Sequence, residues 1–260
     1  MRRSRRSQRI VVDAISLEIT RTGAFALNST PTSSSFPPTL VAMAANTEHN
    51  FPLFPLGLVA LPEEPVPLHI FEDRYKEMIS HCIANESEFG IVWREDDELH
   101  DIGCAVEVEE VLETMEDGRI NLVCRGTRPF RLLERGDDIP YPSGTVEFLE
   151  DSSDSGEDTG AETRIVYSEL YTEATERTID NEDLVEMSSY DMASTVDFGL
   201  EAKQTLLELR DETARLALLE RLFRAALKRV AMIGKAEALA GSNGRVRFGT
   251  DKLPKPDIEN

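Results

Sequence analysis

No run of about 18 apolar residues occurs anywhere in the chain, so no stretch has the length of a membrane-spanning helix, and no membrane partner is expected. Cysteine is scarce as well. Cys82, Cys104 and Cys124 are odd in number, far apart, and form no C-x-x-C pair. Their neighbours are apolar or alternate as in a strand, which reads as buried free thiols in a reducing compartment, with a disulfide or a metal site as the alternatives. His49, His69, His81 and His100 are scattered, with no H-E-x-x-H and no cysteine at zinc-ligand spacing. His81 and Cys82 are adjacent, but on a helix they point about 100° apart and do not readily share a metal. His69, inside Pro67-Leu68-His69-Ile70-Phe71, reads as a structural histidine bonded to backbone rather than as a base. Basic charge is short too: 28 Lys and Arg against 49 Asp and Glu leave a net charge of -21. Phosphate binding needs clustered cations, so no nucleic-acid partner is expected. The acids form no isolated carboxylate pair in an apolar setting and read as solvated surface charge.

What remains is the composition of a soluble globular chain: 260 residues, 40% hydrophobic and 30% charged, enough for one good-sized domain or two small ones. Residues 1–42 stand apart. Six arginines face only Asp13 and Glu18 there, and the stretch ends in a Ser, Thr and Pro run at 28–35. This predicts a disordered basic tail over 1–48, either an organelle transit peptide or an upstream extension preceding a start at Met43. There is no apolar h-region of secretory type. The expected location is cytoplasmic, or an organelle if the tail is a transit peptide.

The stretch from Phe51 to Ile83 organises the rest. Prolines at 52, 55, 62, 65 and 67 exclude a helix or a central strand and predict extended edge segments and turns. From Glu72 the period becomes helical, with Tyr75, Met78, Ile79, Cys82 and Ile83 on one face and Asp73, Lys76 and Glu77 turned outward. Strand patterns follow. Phe89 to Trp93 is short and apolar, and an acidic loop over 94–101 ends it. Val106 and Val108 alternate with Glu107 and Glu109, and Asp117-Gly118 is a hairpin signal that asks for positive φ at both residues. Ile120, Leu122 and Cys124 then face inward, with Asn121 and Val123 opposite, and Phe130, Leu132, Val146 and Phe148 complete the pattern. Five or six short strands and one early helix predict an α+β chain whose residues 49–150 form a small barrel-like antiparallel sheet.

Residues 151–160, acidic and rich in Ser and Gly, read as an exposed linker. A helical period then covers 161–235. Val166, Leu170 and Ala174 stack beside Tyr167 and Tyr171, a break is expected from Asp180 to Ser189 with Asn181 or Ser189 as cap, and a long pattern over 197–233 splits near Arg210-Asp211-Glu212. These stripes imply a helical bundle, and 236–260 is expected to be a disordered tail.

The sequence FPLFPL at 51–56, then LPEEPVPLHIFEDRY at 61–75, resembles the opening of the Lon protease amino-terminal, substrate-binding domain. The likeness continues through DIGCAVEVEEV at 101–111, the D-G-R turn, and INLVCRGTRPFRLLE at 120–134. Pro129 departs from the pattern where the family commonly has an arginine or lysine, which an edge strand should tolerate. Ala193-Ser194, then Lys203-Gln204-Thr205-Leu206-Leu207-Glu208, then Arg215-Leu216 is similar to the bundle that follows. The resemblance covers about 50–232 and implies a PUA-like pseudo-barrel followed by a helical bundle; strand counting alone does not choose that barrel over an OB-fold. Within the last motif, Leu206 and Leu207 read as core, and Lys203 with Glu208 as a solvated face.

A Lon protease needs a G-x-x-x-x-G-K-[ST] loop and a serine activated by a lysine. The one Gly-Lys pair, Gly234-Lys235, has Arg229 where the first glycine belongs and Ala236 where the hydroxyl belongs, and no G-x-S-x-G elbow occurs. No catalytic, cofactor-binding or metal residue and no cofactor is therefore expected. The expectation is a stand-alone, non-catalytic protein of the Lon substrate-binding type that binds unfolded or exposed apolar polypeptide segments. Strand addition at a proline-bearing edge, or a groove between barrel and bundle, would hold the segment; Phe51 to Leu61 and Trp93 are surface candidates that also read as core. The alternatives are an adaptor docking on a larger ATP-dependent protease, and a peptidase in its own right.

Overall fold

The computed structural model describes residues 46–136, 138–152 and 160–243, with the backbone alone for 234–243. Most of the expected basic tail and of the linker lies outside the described residues, as does the chain end from 244; the expected tail bounds are overrun at both ends, since Thr47 and Glu48 already belong to a strand and the backbone of 236–243 continues the last helix. Seven strands come first, interrupted by one helix: β1 (Thr47–Leu56), β2 (Pro65–Ile70), α1 (Asp73–Asn85), β3 (Phe89–Glu95), β4 (Glu98–Leu99), β5 (Ile102–Thr114), β6 (Ile120–Gly136) and β7 (Ser143–Phe148). Five helices follow: α2 (Ala161–Thr175), α3 (Asn181–Glu186), α4 (Ser189–Ala193), α5 (Leu200–Glu208) and α6 (Glu212–Asn243).

The sheet runs β1-β7-β6-β5-β3-β4, and a parallel pairing of β1 with β3 shuts it into a ring. The other pairings are antiparallel. The prolines did not confine β1 to an edge. Its first half, Thr47 to Pro52, pairs with β7, and its second half, Leu53 to Leu56, pairs with β3. Each half needs partners on one flank only, so Pro52 and Pro55 break no double-sided ladder. Pro65 and Pro67 do lie on an edge, because among the described residues β2 pairs only with β6.

Pro129 is the other departure, since it is buried in β6, which has β2, β5 and β7 as partners. Pairing with β2 ends at Arg125 and pairing with β7 begins at Phe130, so the proline falls in the gap between them, beside a register shift against β5. The hairpin between β5 and β6 also differs from expectation. Gly118 alone takes positive φ, at 80°, while the Gly118 N–H donates to the Met115 carbonyl and the Asp117 carboxylate accepts from the Arg119 backbone and guanidinium. This is a type I turn with a glycine bulge, the geometry of a longer loop than the two-residue one.

Two apolar clusters result. Phe51, Leu53, Val92, Ala105, Phe130, Val146 and Phe148 fill the ring, with Phe51 edge-on to Phe130 and Phe148 at 5.6 and 5.5 Å. A larger cluster passes from Tyr75, Met78, Ile79 and Cys82 of α1, across Ile91, Trp93 and Cys104, to Leu206, Leu219 and Phe223 in the bundle. Ile83, Ala174 and Ile233, expected on buried faces, are exposed. The expected break at 180–189 contains α3, and the caps stand one residue earlier than expected, at Asp180 and at Ser188, whose hydroxyl and Asp191 complete a capping box.

All three cysteines are free and buried. Burial raises each thiol pKa, to about 12 for Cys124. At pH 8 the thiolate fraction of such a group is on the order of 10⁻⁴. We expect the native protein to titrate no thiol with a disulfide reagent and all three after denaturation; a fast-reacting native thiol would contradict this burial.

Candidate functional site

The barrel and the bundle are joined by buried charge rather than by an open groove. Lys203 was expected on a solvated face, yet it is 4% exposed and its Nζ lies 2.6 Å from Glu64 Oε1, itself 3% exposed. The period of α5 is helical as read, but the barrel packs on more of its circumference than the leucines alone mark. Glu64 closes the tight turn just before β2, where its other carboxylate oxygen accepts from the Leu61 backbone N–H at 3.1 Å. Next along α5, Gln204 donates to the Ile102 carbonyl of β5 at 3.1 Å. The start of the expected linker is held too: Asp151 binds both terminal nitrogens of Arg215, and Ser152 donates to the Arg210 carbonyl at 2.7 Å. Arg215 is 1% exposed and also reaches Glu212 at 2.6 Å, Ser189 at 2.9 Å and the face of Tyr190. The motif residues Lys203, Gln204 and Arg215 therefore fasten the two halves together.

What remains between the halves is a cleft of about 540 Å³ whose walls include Glu95, Glu98, Asp101, Glu208, Arg131 and Arg210. Leu99, Ile102 and Leu149 add apolar patches, but the charged groups dominate these walls, which suit water and ions better than a wholly apolar segment. Of the earlier surface candidates, only Pro55 to Leu58 keep part of their surface in water. Phe51, Leu53, Phe54, Val59, Ala60 and Leu61 are buried, and Trp93 is 6% exposed with its ring stacked 4.2 Å from His100.

The apolar surface lies elsewhere, on the outer face where β2 flanks the β5–β6 hairpin. Register places Leu68 of β2 opposite Leu122 and His69 opposite Asn121, with Glu113 across from Asn121 on the other side. Pro67, Leu68, Leu112 and Leu122 line a concavity of about 630 Å³ there, with His69, Asn121 and Glu113 as its polar rim. His69 bonds Asn121 Oδ1 at 2.6 Å rather than backbone, is exposed, and stacks at 6.0 Å on Phe71. Phe71 and Leu112 are 60% and 57% exposed. Large exposed apolar residues grouped on a concave face mark a binding surface more often than a chance pattern. The prolines of β2 mark an extended edge but not the face it buries, and Leu112 follows a register shift at Val111 that no alternation reveals. Among the described residues no three or more His, Cys, Asp or Glu converge as metal ligands, and no helix is long and apolar enough to cross a membrane.

Comparison with known proteins agrees with this architecture. The family model for the ATP-dependent protease La (LON) substrate-binding domain matches residues 50–224. Among solved structures, the Lon N-terminal domain protein from Xanthomonas campestris aligns with a TM-score of 0.53 at 26% identity, over 65% of this chain and 95% of that one. The N-terminal domain of Mycobacterium avium complex Lon protease shares the fold at a TM-score of 0.51 and 21% identity, over 67% of this chain and 97% of that one. Curated relatives include Lon proteases of Paraburkholderia phytofirmans, 25% identical over 36% of this chain, and of Parabacteroides distasonis, 27% identical over 39%. The chain spans only 13% of the length of either protease. With a β-ring, a capping bundle and a family match over well more than half its length, the chain belongs to the LON substrate-binding domain family.

Proposed function

We propose that the outer face of β2, β6 and β5 binds exposed apolar segments of unfolded polypeptides, and that the chain does so without catalysis of its own. The carrying observation is the exposure of Phe71 and Leu112 beside the concavity that Pro67 and His69 border, with Leu68 and Leu122 buried beneath it. Binding would remove those two side chains from water at about 25 cal/mol per Å². Membership of the LON substrate-binding domain family fits a substrate-binding role, and the sequence offers neither a phosphate-binding loop nor a nucleophile with its base.

The test is a fluorescence anisotropy titration of the whole chain with a permanently unfolded polypeptide and with a folded protein. The unfolded probe should bind and the folded one should not. Phe71→Ser with Leu112→Ser should weaken binding at least about tenfold, since each truncation at an apolar hot spot costs about 1–2 kcal/mol. Equal, negligible binding of both probes would overturn the reading. ATP-stimulated degradation of the probe by the pure chain would overturn its non-catalytic part.

A second reading is supported by α6, which runs to Asn243 and exposes Met232 at 69% and Ile233 at 47%. That end of the helix would dock on a separate ATP-dependent protease. A pull-down distinguishes the two, with one stoichiometric partner for docking and a broad set of unfolded clients for substrate binding.

A further inference from the structure

On the other side of β5 the sheet is open. β3 pairs with β5 only from Cys104 to Val106, so from Glu107 to Thr114 the strand has β6 on one flank and, among the described residues, no strand on the other. Between this open flank and the carboxyl end of α1 runs a groove of about 280 Å³. Val108 and Val111 from the strand and Ile83 from the helix give it an apolar lining, and Ile83 and Val111 are 43% and 42% exposed. Its rim is acidic: Glu86 at the helix end, Glu107 and Glu110 on the strand, all exposed and, among the described residues, in no ion pair. Glu109, between them, shows what such a carboxylate does when a cation is in reach, gripping the Arg125 guanidinium with both oxygens at 2.8 and 3.1 Å.

We infer that this groove selects polypeptides carrying Lys or Arg interleaved with apolar residues, a discrimination that rests on the polypeptide-binding reading and adds a second contact to it. Three observations choose that occupant. The lining takes an aliphatic side chain, the rim has unneutralised negative charge, and register shifts at Val108/Glu110 and Val111/Glu113 break the edge. A long backbone ladder is thus disfavoured, and side-chain and charge contacts must carry the binding. A second copy of this chain fits poorly, because with a net charge of -21 it would bring acid against acid.

The experiment uses the whole chain and three labelled peptides of one apolar pattern, interleaved with Lys, Ser or Glu. At about 50 mM salt the Lys peptide should bind about tenfold tighter than the Ser peptide, and the preference should shrink to about twofold at 300 mM as screening shortens. Glu86→Gln, Glu107→Gln and Glu110→Gln together should abolish the preference and leave the Ser peptide unchanged. Equal affinity for Lys and Ser peptides, with both bound, overturns the charge selection alone. Failure of all three to bind overturns it together with the reading beneath it. Tighter Lys-peptide binding after Arg2, Arg3, Arg5 and Arg6 are changed to Gln would assign the groove to the chain's own basic start, and a dimer lost in the triple variant would assign it to a second copy; either result overturns the assignment to a separate polypeptide.

Discussion

Lys203→Met lowers the unfolding free energy by about 3–5 kcal/mol in a urea titration, the range for removing one partner of a buried ion pair. The magnitude follows from what stays behind. Glu64 is 3% exposed, and without the ammonium at 2.6 Å its carboxylate keeps only part of its compensation, including the Leu61 N–H. The carboxylate must then bind a proton, draw in water, or drive the two halves apart. Replacing both partners, as Glu64→Gln with Lys203→Met, should recover all but about 1 kcal/mol, because a neutral amide can still accept the Leu61 hydrogen bond. If the single replacement costs under about 1 kcal/mol, the junction is hydrated and the pair does not hold the halves together.

The second large effect is steric. Gly126→Ala should cost about 3 kcal/mol, at the upper end of ordinary overpacking. A Cβ at that position would stand 2.0 Å from the Leu61 carbonyl oxygen and 3.2 Å from the Pro62 Cα, and neither is the end of a flexible side chain. The approach is close because Gly126 exchanges hydrogen bonds with the turn that carries Glu64: its carbonyl accepts from Glu63 at 2.9 Å, and its N–H donates to the Glu64 carbonyl at 3.0 Å. Both substitutions strain one turn, so the double variant Gly126→Ala with Lys203→Met should cost less than the sum of the two. Strict additivity in the same urea titration would show that the turn does not couple them.

How much of this could be read from residues alone varies with the range of the interaction. Alternation found the buried face of β6 at Ile120, Leu122 and Cys124, and the helical period found Tyr75, Met78, Ile79 and Cys82, because those signals are local; the buried face of β2 was not read among its prolines. The resemblance supplied the barrel type that strand counting left open. Lys203 and Glu64 lie 139 residues apart, and nothing near either one announces the other, so the lysine took the solvated reading that most lysines deserve. Pro129 and the prolines of β1 misled for a related reason. A proline reports on its own hydrogen-bonding flank and says nothing of a strand that trades one neighbour for another halfway along. The candidate site was hidden in the same way, since Phe71 and Leu112 count as core on composition, and only the register of β2 against the hairpin leaves them in water.

The join that β1 makes with both β7 and β3 also dictates an order of events during synthesis. His49 meets Thr145 across 96 positions of chain, and Thr47 meets Glu147. The ring cannot shut until the ribosome has released the strand ending at Phe148, and contacts so distant along the chain form slowly. Through that interval Phe51 and Leu53 have no interior to enter, so for a time the nascent protein is itself the kind of sticky, unfinished client that its finished form is proposed to hold.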